Sequence, residues 1–340
     1  MEIAKKIDVL QWINLYTRDF ILTLFAQLLA SECTSKARLD NKTVVITGCN
    51  TGIGKETALE LCKRGARIVM ACRNLERAKD AAEDIRKQVA SYKNAGEVVI
   101  QQLNLASLKS VRECAENILA TEERIDILIN NAGMIGSRHL TEDGHELTFQ
   151  VNYLGHYLFT LLLLPKIVKS TPARIINVTS IAHTWGDGSM HFDDITLEQS
   201  YSPTAAYGRS KTAQILFTSA LAKKLEGTGV TVYASHPGTV QTEIARHAAP
   251  ILRQIWEGWL TSFVMKTPRQ GAQTTLHCAL DEKAGKETGL WYMECAPAMP
   301  VKRARNETVG NQLWDFSWRA VKLPEDYHPF SKKEETIKSS

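Results

Sequence analysis

The 340-residue chain has no C-x-x-C pair and no group of histidines at metal-ligand spacing, so zinc-site and thioredoxin-type chemistry are not expected and no metal is implied. Its seven cysteines, at 33, 49, 62, 72, 114, 278 and 295, are odd in number and scattered. That pattern indicates reduced thiols and a cytosol-facing fold rather than a disulfide scaffold. No Pro/Ser-rich linker, internal repeat or low-complexity block divides the chain, so one domain with appendages is expected, although the length alone would allow two. Charge of one sign is also lacking: 41 Lys+Arg against 37 Asp+Glu leave a formal +4, interleaved along the chain, which does not indicate a nucleic-acid binder. Nor does the N-terminal apolar segment run uninterrupted for the about 20 residues that a membrane crossing takes.

What is there begins with that segment, Asp8 to Ala30. Arg18 and Asp19 interrupt it, and at 100° per residue Leu10, Ile13, Phe20, Ile21, Leu24 and Leu28 share one stripe opposite Asp8, Gln11, Asn14 and Arg18. It reads as a helix lying in a membrane surface, with a tilted span or a cap packed on the protein itself as alternatives. A cleaved secretory signal suits neither its length and polar residues nor the cysteine pattern. Ser31 to Lys42 reads as a polar linker. The chain thus divides into an anchor and linker (1–40), a main domain (41–322) and a polar tail (323–340).

Residues Val44 to Gly54 read VVITGCNTGIG. Thr43 to Ile46 form an unbroken β-branched run, the mark of a strand buried on both faces of a parallel sheet. Past the glycines, Thr57, Ala58, Leu61 and Cys62 recur at helical spacing until Gly65, a C-terminal stop. Strand, glycine turn and helix in that order build an anion site, because backbone N–H groups and the positive end of the helix dipole converge there. Gly48 permits the turn, Gly52 lets a pyrophosphate approach the backbone, and Gly54 lets the helix pack close to the strand. Thr47, Asn50, Thr51 and Ile53 complete the candidate cradle. A plain structural turn can carry the same glycines.

A second strand, Ala66 to Ala71, ends at Cys72 and Arg73. An acid at this point would hold the 2′-hydroxyl of NAD and an Arg would accept the 2′-phosphate of NADP; Arg73 therefore indicates NADP (NADPH), a solvated loop cation being the plainer alternative. Leu75 to Ala90 is a charged amphipathic helix without assigned function. Asn104 follows a third strand (Val98 to Leu103), and either bonds the adenine or, with Ser107, caps the next helix. A fourth strand, Ile125 to Ile129, runs into Asn130-Asn131-Ala132-Gly133. These amides can tie neighbouring backbones together, while Gly133 leaves room for a nucleotide. The helix from Gly144 to Ser170 is too punctuated for a span and is expected in core or dimer packing; Asn152 is its polar exception. A fifth strand, Arg174 to Val178, ends in Thr179-Ser180. A sixth, Thr231 to Ser235, leads into His236-Pro237-Gly238-Thr239, and a strand at Gly289 to Met293 completes the sheet. The aromatic stretch with Trp256, Trp259 and Phe263 suggests a lid.

Tyr207 and Lys211, at i and i+4, share one face of a helix. Hydride transfer to a carbonyl leaves an oxyanion that must be protonated. A phenol can supply the proton, but with an ordinary pKa near 10 it needs a nearby cation to stabilise its phenolate. Lys211 can provide that charge, Ser180 a hydrogen bond to the substrate oxygen, and Asn152 a water in a proton relay.

Together Thr47-Gly48-x3-Gly52-Ile53-Gly54, Asn130-Asn131-Ala132-Gly133, Asn152, Ser180, Tyr207-x3-Lys211 and Pro237-Gly238 resemble the short-chain dehydrogenase/reductase family, over roughly Lys42 to Met293. The resemblance implies an α/β fold with a doubly wound, Rossmann-like parallel sheet and a catalytic tetrad of Asn152, Ser180, Tyr207 and Lys211. It also implies that Lys211 bonds the nicotinamide ribose, that Thr242 steadies the carboxamide, and that Val240 belongs to the cofactor-binding set. The stretches Gly52-Ile-Gly-Lys-Glu-Thr-Ala58, Ala71-Cys-Arg73, Val151-Asn-Tyr-Leu-Gly-His156 and Ser180-Ile-Ala-His183 are similar to the NADP-preferring retinol dehydrogenases. The chain departs from that branch in having Asn104 for its usual Asp and Thr179 for its usual Ser, and the expected pocket segments, Ile181 to Ala206 and Glu243 to Met265, carry no matching motif. The expectation is a membrane-associated, NADPH-dependent reductase of a lipophilic carbonyl, retinaldehyde first, with steroid, isoprenoid or lipid-derived carbonyls as alternatives. A non-catalytic NADPH-binding scaffold is the reading from another class. The implied place is the endoplasmic reticulum membrane with the domain facing the cytosol, a mitochondrial membrane second, and a homodimer accords with the family's habit.

Overall fold

The computed structural model describes residues 31–187, 189–240 and 265–330. The expectations for the anchor helix, for Thr242 and for the aromatic lid up to residue 264 lie outside those residues. Within them, eight strands make one sheet: β1 (Thr43–Thr47), β2 (Arg67–Cys72), β3 (Val98–Gln102), β4 (Ile127–Asn130), β5 (Ala173–Val178), β6 (Val230–His236), β7 (Leu290–Met293) and β8 (Ala296–Ala298). Their order is β3-β2-β1-β4-β5-β6-β7-β8; the first seven run parallel and β8 returns antiparallel on β7. Alternation along β1 sends Val44 and Ile46 to one layer of the core and Val45 to the other. Helices cover both faces, which explains the continuous apolar runs read from the sequence.

The main helices are α1 (Gly52–Lys63), α2 (Leu75–Val89), α3 (Leu108–Thr121), α4 (Leu147–Lys169), α5 (Pro203–Lys224), α6 (Pro268–Leu280) and α7 (Glu307–Ala320). Buried residues of α1, α2 and α6 belong to one layer; those of α3, α4, α5 and α7 belong to the other. On α2, Ala78, Ala81, Ala82, Ile85 and Val89 form the buried stripe, and Asn74 caps the start by accepting the Arg77 N–H at 2.9 Å. Helix α4 is a core helix, as expected: 78% of its most apolar stretch is buried inside the protein. Its entry contains a π-turn, Gln150–Leu154, in which Gly155 N–H bonds the Gln150 carbonyl five residues back.

Two elements escape the sequence reading, because the sheet does not end at Met293. Strand β8 extends it, and α7 packs on α4 and α5 through Trp314, whose ring lies 5.9 Å from Phe217 and 5.2 Å from Tyr157. Ser317 donates to the Leu313 carbonyl, so its oxygen accepts the Tyr153 hydroxyl at 2.7 Å. Part of the supposed tail is docked as well: Tyr327 OH donates to the Leu161 carbonyl at 2.8 Å, and Phe330 lies 6.0 Å from Trp314.

Truncating Trp314 to Ala should cost about 3–5 kcal/mol, as for other buried aromatics. Tyr153→Phe, which removes one bond only, should cost about 0.5–1.5 kcal/mol. Chemical denaturation checks both; a Trp314→Ala loss under 1 kcal/mol would mean that α7 is not part of the cooperative unit.

Candidate dinucleotide and hydride-transfer site

The chain runs from β1 to β2 and β3 on one side and then crosses over to β4 on the other, so a crevice opens at the carboxyl ends of β1 and β4. A cleft of about 500 Å³ occupies it. One end is bounded by Arg73, Asn74, Arg77 and Asn104; the glycine turn from Gly48 to Gly54 forms the floor; Tyr207, Lys211 and Pro237 stand at the far end. The sequence reading placed Asn50, Thr51, Ile53, Ala132 and Gly133 here too, and all five line the cleft.

The turn is shaped by positive φ at Gly48 (64°) and Gly52 (57°). Gly54 has a different neighbour from the strand expected: a Cβ there would sit 2.4 Å from Asn131 Nδ2 and 2.8 Å from the Gly48 carbonyl oxygen. Asn131 explains the contact, since its Nδ2 donates to the Thr47 and Gly48 carbonyls at 2.9 and 3.1 Å. In return, Thr47 Oγ1 accepts the N–H groups of Asn131 and Ala132, both at 3.0 Å. Asn130 points into the sheet instead, donating to Thr160 and Asn177.

The cleft fits a dinucleotide on its own geometry. Helices α2 and α3 are capped by Asn74 and Ser107, but α1 starts at Thr51 without a side-chain cap and has no acid in its first turn, leaving its N–H groups toward the cleft for an anion. Arg73 is exposed at the ribose end and Arg77, missed from the sequence because it lies a turn inside α2, lines the same wall. Asn104 lines the cleft while its Oδ1 accepts the Ala106 N–H at 3.2 Å; the cap of α3 is Ser107. Val240 does not line the cleft: its side chain packs on Gly271 of α6, and Gly238 (φ 85°) packs on the Lys266 side chain.

At the far end, Tyr207 is 8% exposed and Lys211 2%. Lys211 Nζ donates to the Val178 carbonyl and to Gln214 Oε1, both at 2.9 Å, and lies 5.4 Å from the Tyr207 ring centroid. One N–H remains for the cleft. Burial pulls this ammonium down to about 7, with no carboxylate among the described residues to offset it. Burial pushes the Tyr207 phenol up, opposed by its hydrogen bond with the Ser180 hydroxyl. Ser180 in turn is held by the Ala182 N–H at 3.1 Å, while Thr179 accepts the Trp291 indole N–H at 3.0 Å. Asn152 is fully buried, and its side chain is committed: Oδ1 accepts Met134 N–H, and Nδ2 donates to the Met134 carbonyl and Ser210. It clamps the cleft wall to α5 with both amide protons, while Oδ1, which accepts a single bond, keeps a lone pair for a water. Gln214, also missed, is recognisable only once α5 is seen to carry Lys211 and Gln214 on one face.

A dinucleotide crevice ending in a serine, tyrosine and lysine defines the class of nicotinamide-dependent oxidoreductases with a Rossmann-like sheet. The chain belongs to the short-chain dehydrogenase family, whose model matches residues 42–250. Within that family its relatives are retinol dehydrogenases. Retinol dehydrogenase 11 of Homo sapiens is 46% identical over 300 residues, covering 88% of this chain and 92% of the relative. Retinol dehydrogenase 13 of Homo sapiens is 44% identical over 296 residues, covering 86% of this chain and 88% of the relative. Among solved structures, a protein of uncharacterised function from Mycobacterium paratuberculosis is 31% identical with a TM-score of 0.67, covering 84% of this chain and 96% of that one. A structure from Beutenbergia cavernae, described as an NAD(P) dependent gluconate 5-dehydrogenase with bound NADP at low occupancy, shares the fold at 23% identity (TM-score 0.60; 76% and 96% covered).

Gly54→Ala should weaken nicotinamide dinucleotide binding at least tenfold, since the added Cβ forces apart the turn backbone and Asn131. Quenching of tryptophan fluorescence measures it; an unchanged Kd would mean that the turn does not touch the ligand.

Proposed function

We propose that the protein interconverts a lipophilic carbonyl compound and its alcohol with NADP(H), retinaldehyde and retinol being the leading pair. The observation that carries this reading is one continuous cleft with Arg73 and Arg77 at one end and Tyr207 and Lys211 at the other. Arg73 offers the 2′-phosphate a charge-assisted bond that NAD cannot use. When bound, a nicotinamide supplies or accepts the hydride. Ser180 donates a hydrogen bond to the substrate oxygen and Tyr207 delivers the proton to it as the oxyanion forms. Lys211, a buried cation without a carboxylate partner among the described residues, stabilises the phenolate left behind, while Val178 and Gln214 hold its ammonium in place. Asn152, Ser180, Tyr207 and Lys211 act as the catalytic set, Asn152 by fixing the wall that carries Met134.

The retinoid choice comes from the relatives' names and from the amphipathic segment preceding residue 31, which would hold the domain at a membrane where such substrates partition. The reading places residues 41–322 as the catalytic unit on the cytosolic side of the endoplasmic reticulum membrane.

The test is NADPH oxidation by the full chain with all-trans-retinaldehyde. Turnover is expected with NADPH, lost in Tyr207→Phe, and at least roughly tenfold poorer in kcat/KM in Arg73→Glu, with the NADH rate unaffected by that change. A NADPH/NADH ratio near one would sink the cofactor choice.

The protonated form of Lys211 is present below about pH 7 and lost above it. Reductive kcat/KM should therefore fall as pH rises through about 7. In Lys211→Met the inflection should vanish and the rate should drop by about 10²-fold or more. An inflection that persists in the variant would assign it to another group.

A further inference from the structure

His156 is buried to 1% beneath the cleft, one turn along α4 from Asn152, and no step of the proposed chemistry uses it. Its Nδ1 lies 3.0 Å from the Asn152 main-chain carbonyl and its Nε2 2.8 Å from Thr47 Oγ1. These partners fix every proton. A carbonyl oxygen only accepts, so Nδ1 carries the hydrogen and donates it. Thr47 Oγ1 already accepts two N–H groups, from Asn131 and Ala132, so its lone pairs are taken and its own proton goes to Nε2. The imidazole must then be neutral, in agreement with a burial that pulls it down to about 4, with the Lys211 charge acting in the same direction.

We infer that His156 is a positioning residue that couples the dinucleotide turn to the hydride-transfer site, through a directional chain from the Asn131 and Ala132 N–H groups to Thr47 Oγ1–H, to His156 Nε2, and from Nδ1–H to the Asn152 carbonyl. The chain links the carboxyl ends of β1 and β4 to the π-turn of α4. From that turn the Asn152 side chain reaches Met134 on the cleft wall and Ser210 on α5, next to Lys211. The height of Asn152 is therefore set from two sides, by its own amide and by His156. A hydrophobic residue of similar volume at 156 would fill the space, leave the Thr47 proton without an acceptor, and remove the donor below Asn152.

The kinetic part of the test rests on the hydride-transfer reading; the spectroscopic part does not. Full-length protein labelled with ¹⁵N in its histidines should show, in long-range ¹H–¹⁵N spectra, one Nδ1–H neutral imidazole that keeps its tautomer from pH 5.5 to 8 and is lost in His156→Asn. An Nε2–H tautomer or an imidazolium at that residue overturns the inference. Three variants then separate the two halves of the link. His156→Leu should lower kcat at least tenfold with the carbonyl KM within twofold, and raise the NADPH Kd. His156→Asn, whose amide N–H can stand in for Nδ1–H, should recover most of kcat but not the Kd. His156→Gln, which reaches Thr47 instead, should recover the Kd but not kcat. Equal behaviour of all three folded variants in both quantities would refute the coupling. If the wild-type chain reduces no carbonyl at all, the functional reading fails, while the tautomer and the Kd pattern still decide the role of His156.

Discussion

The architecture depends on the joining of β1 to β4, strands adjacent in space but separated by some eighty residues of chain. Their ladder is backed at the carboxyl end by the reciprocal contact of Thr47 and Asn131, which uses four hydrogen bonds between one residue pair and its immediate neighbours. Each such bond is worth only about 0.5–1.5 kcal/mol net, but Thr47 is fully buried, so leaving its hydroxyl or carbonyl unpaired costs more than the bond itself contributes. The clasp sets the width of the crevice. Gly48, Gly54 and Ala132 are small because backbone and amide approach there to within a Cβ radius.

The same economy governs the reactive end. Lys211 is buried with a carbonyl and an amide oxygen for company rather than a carboxylate. An acid in that place would hold the ammonium protonated but neutralise the field it exerts on Tyr207; dipoles hold it without cancelling its charge. The contrast is with Lys266, equally buried but paired to Glu294, and with Arg209, which lies over the Phe149 ring and 3.7 Å from Glu146. Behind Ser180 a layer of His183, His236 and Trp291 fixes the strand ends: His183 bonds the Ser180 carbonyl at 2.8 Å, and His236 stacks on Trp291. Both imidazoles are pulled down by burial, His236 to about 3.

Much of this was legible in the sequence, because the signals were local. A β-branched run before a glycine turn, five further strands with polar residues at their carboxyl ends, and a Tyr–Lys pair at helical spacing place the fold and the far end of the cleft. What was not legible depends on which atom faces which. Asn130 and Asn131 are adjacent and chemically identical, yet one ties the sheet interior and the other the turn. Asn152 read as a water ligand, and nothing local announced that both its amide protons are spent on Met134 and Ser210. Val240 belonged to the expected cofactor set, and the sequence does not announce that its side chain packs on Gly271 of α6. Strand β8 is three residues long and contains Pro297, which hides its β character, and the apolar positions of α7 are diluted by Asn311, Asp315 and Arg319.

The docking of α7 and of residues 323–330 on α4 and α5 has a bearing on how the molecule is made. Tyr153, Tyr157 and Phe217 lie under the last-synthesised part of the domain, and Trp314, Tyr327 and Phe330 close over them. The seven parallel strands and the glycine turn all precede residue 294, whereas the elements that close this aromatic layer, α7 and residues 323–330, follow them in the chain and so leave the ribosome later. A domain with this layer still open exposes apolar surface, so covering that face and binding a ligand at the crevice stabilise different halves of the molecule.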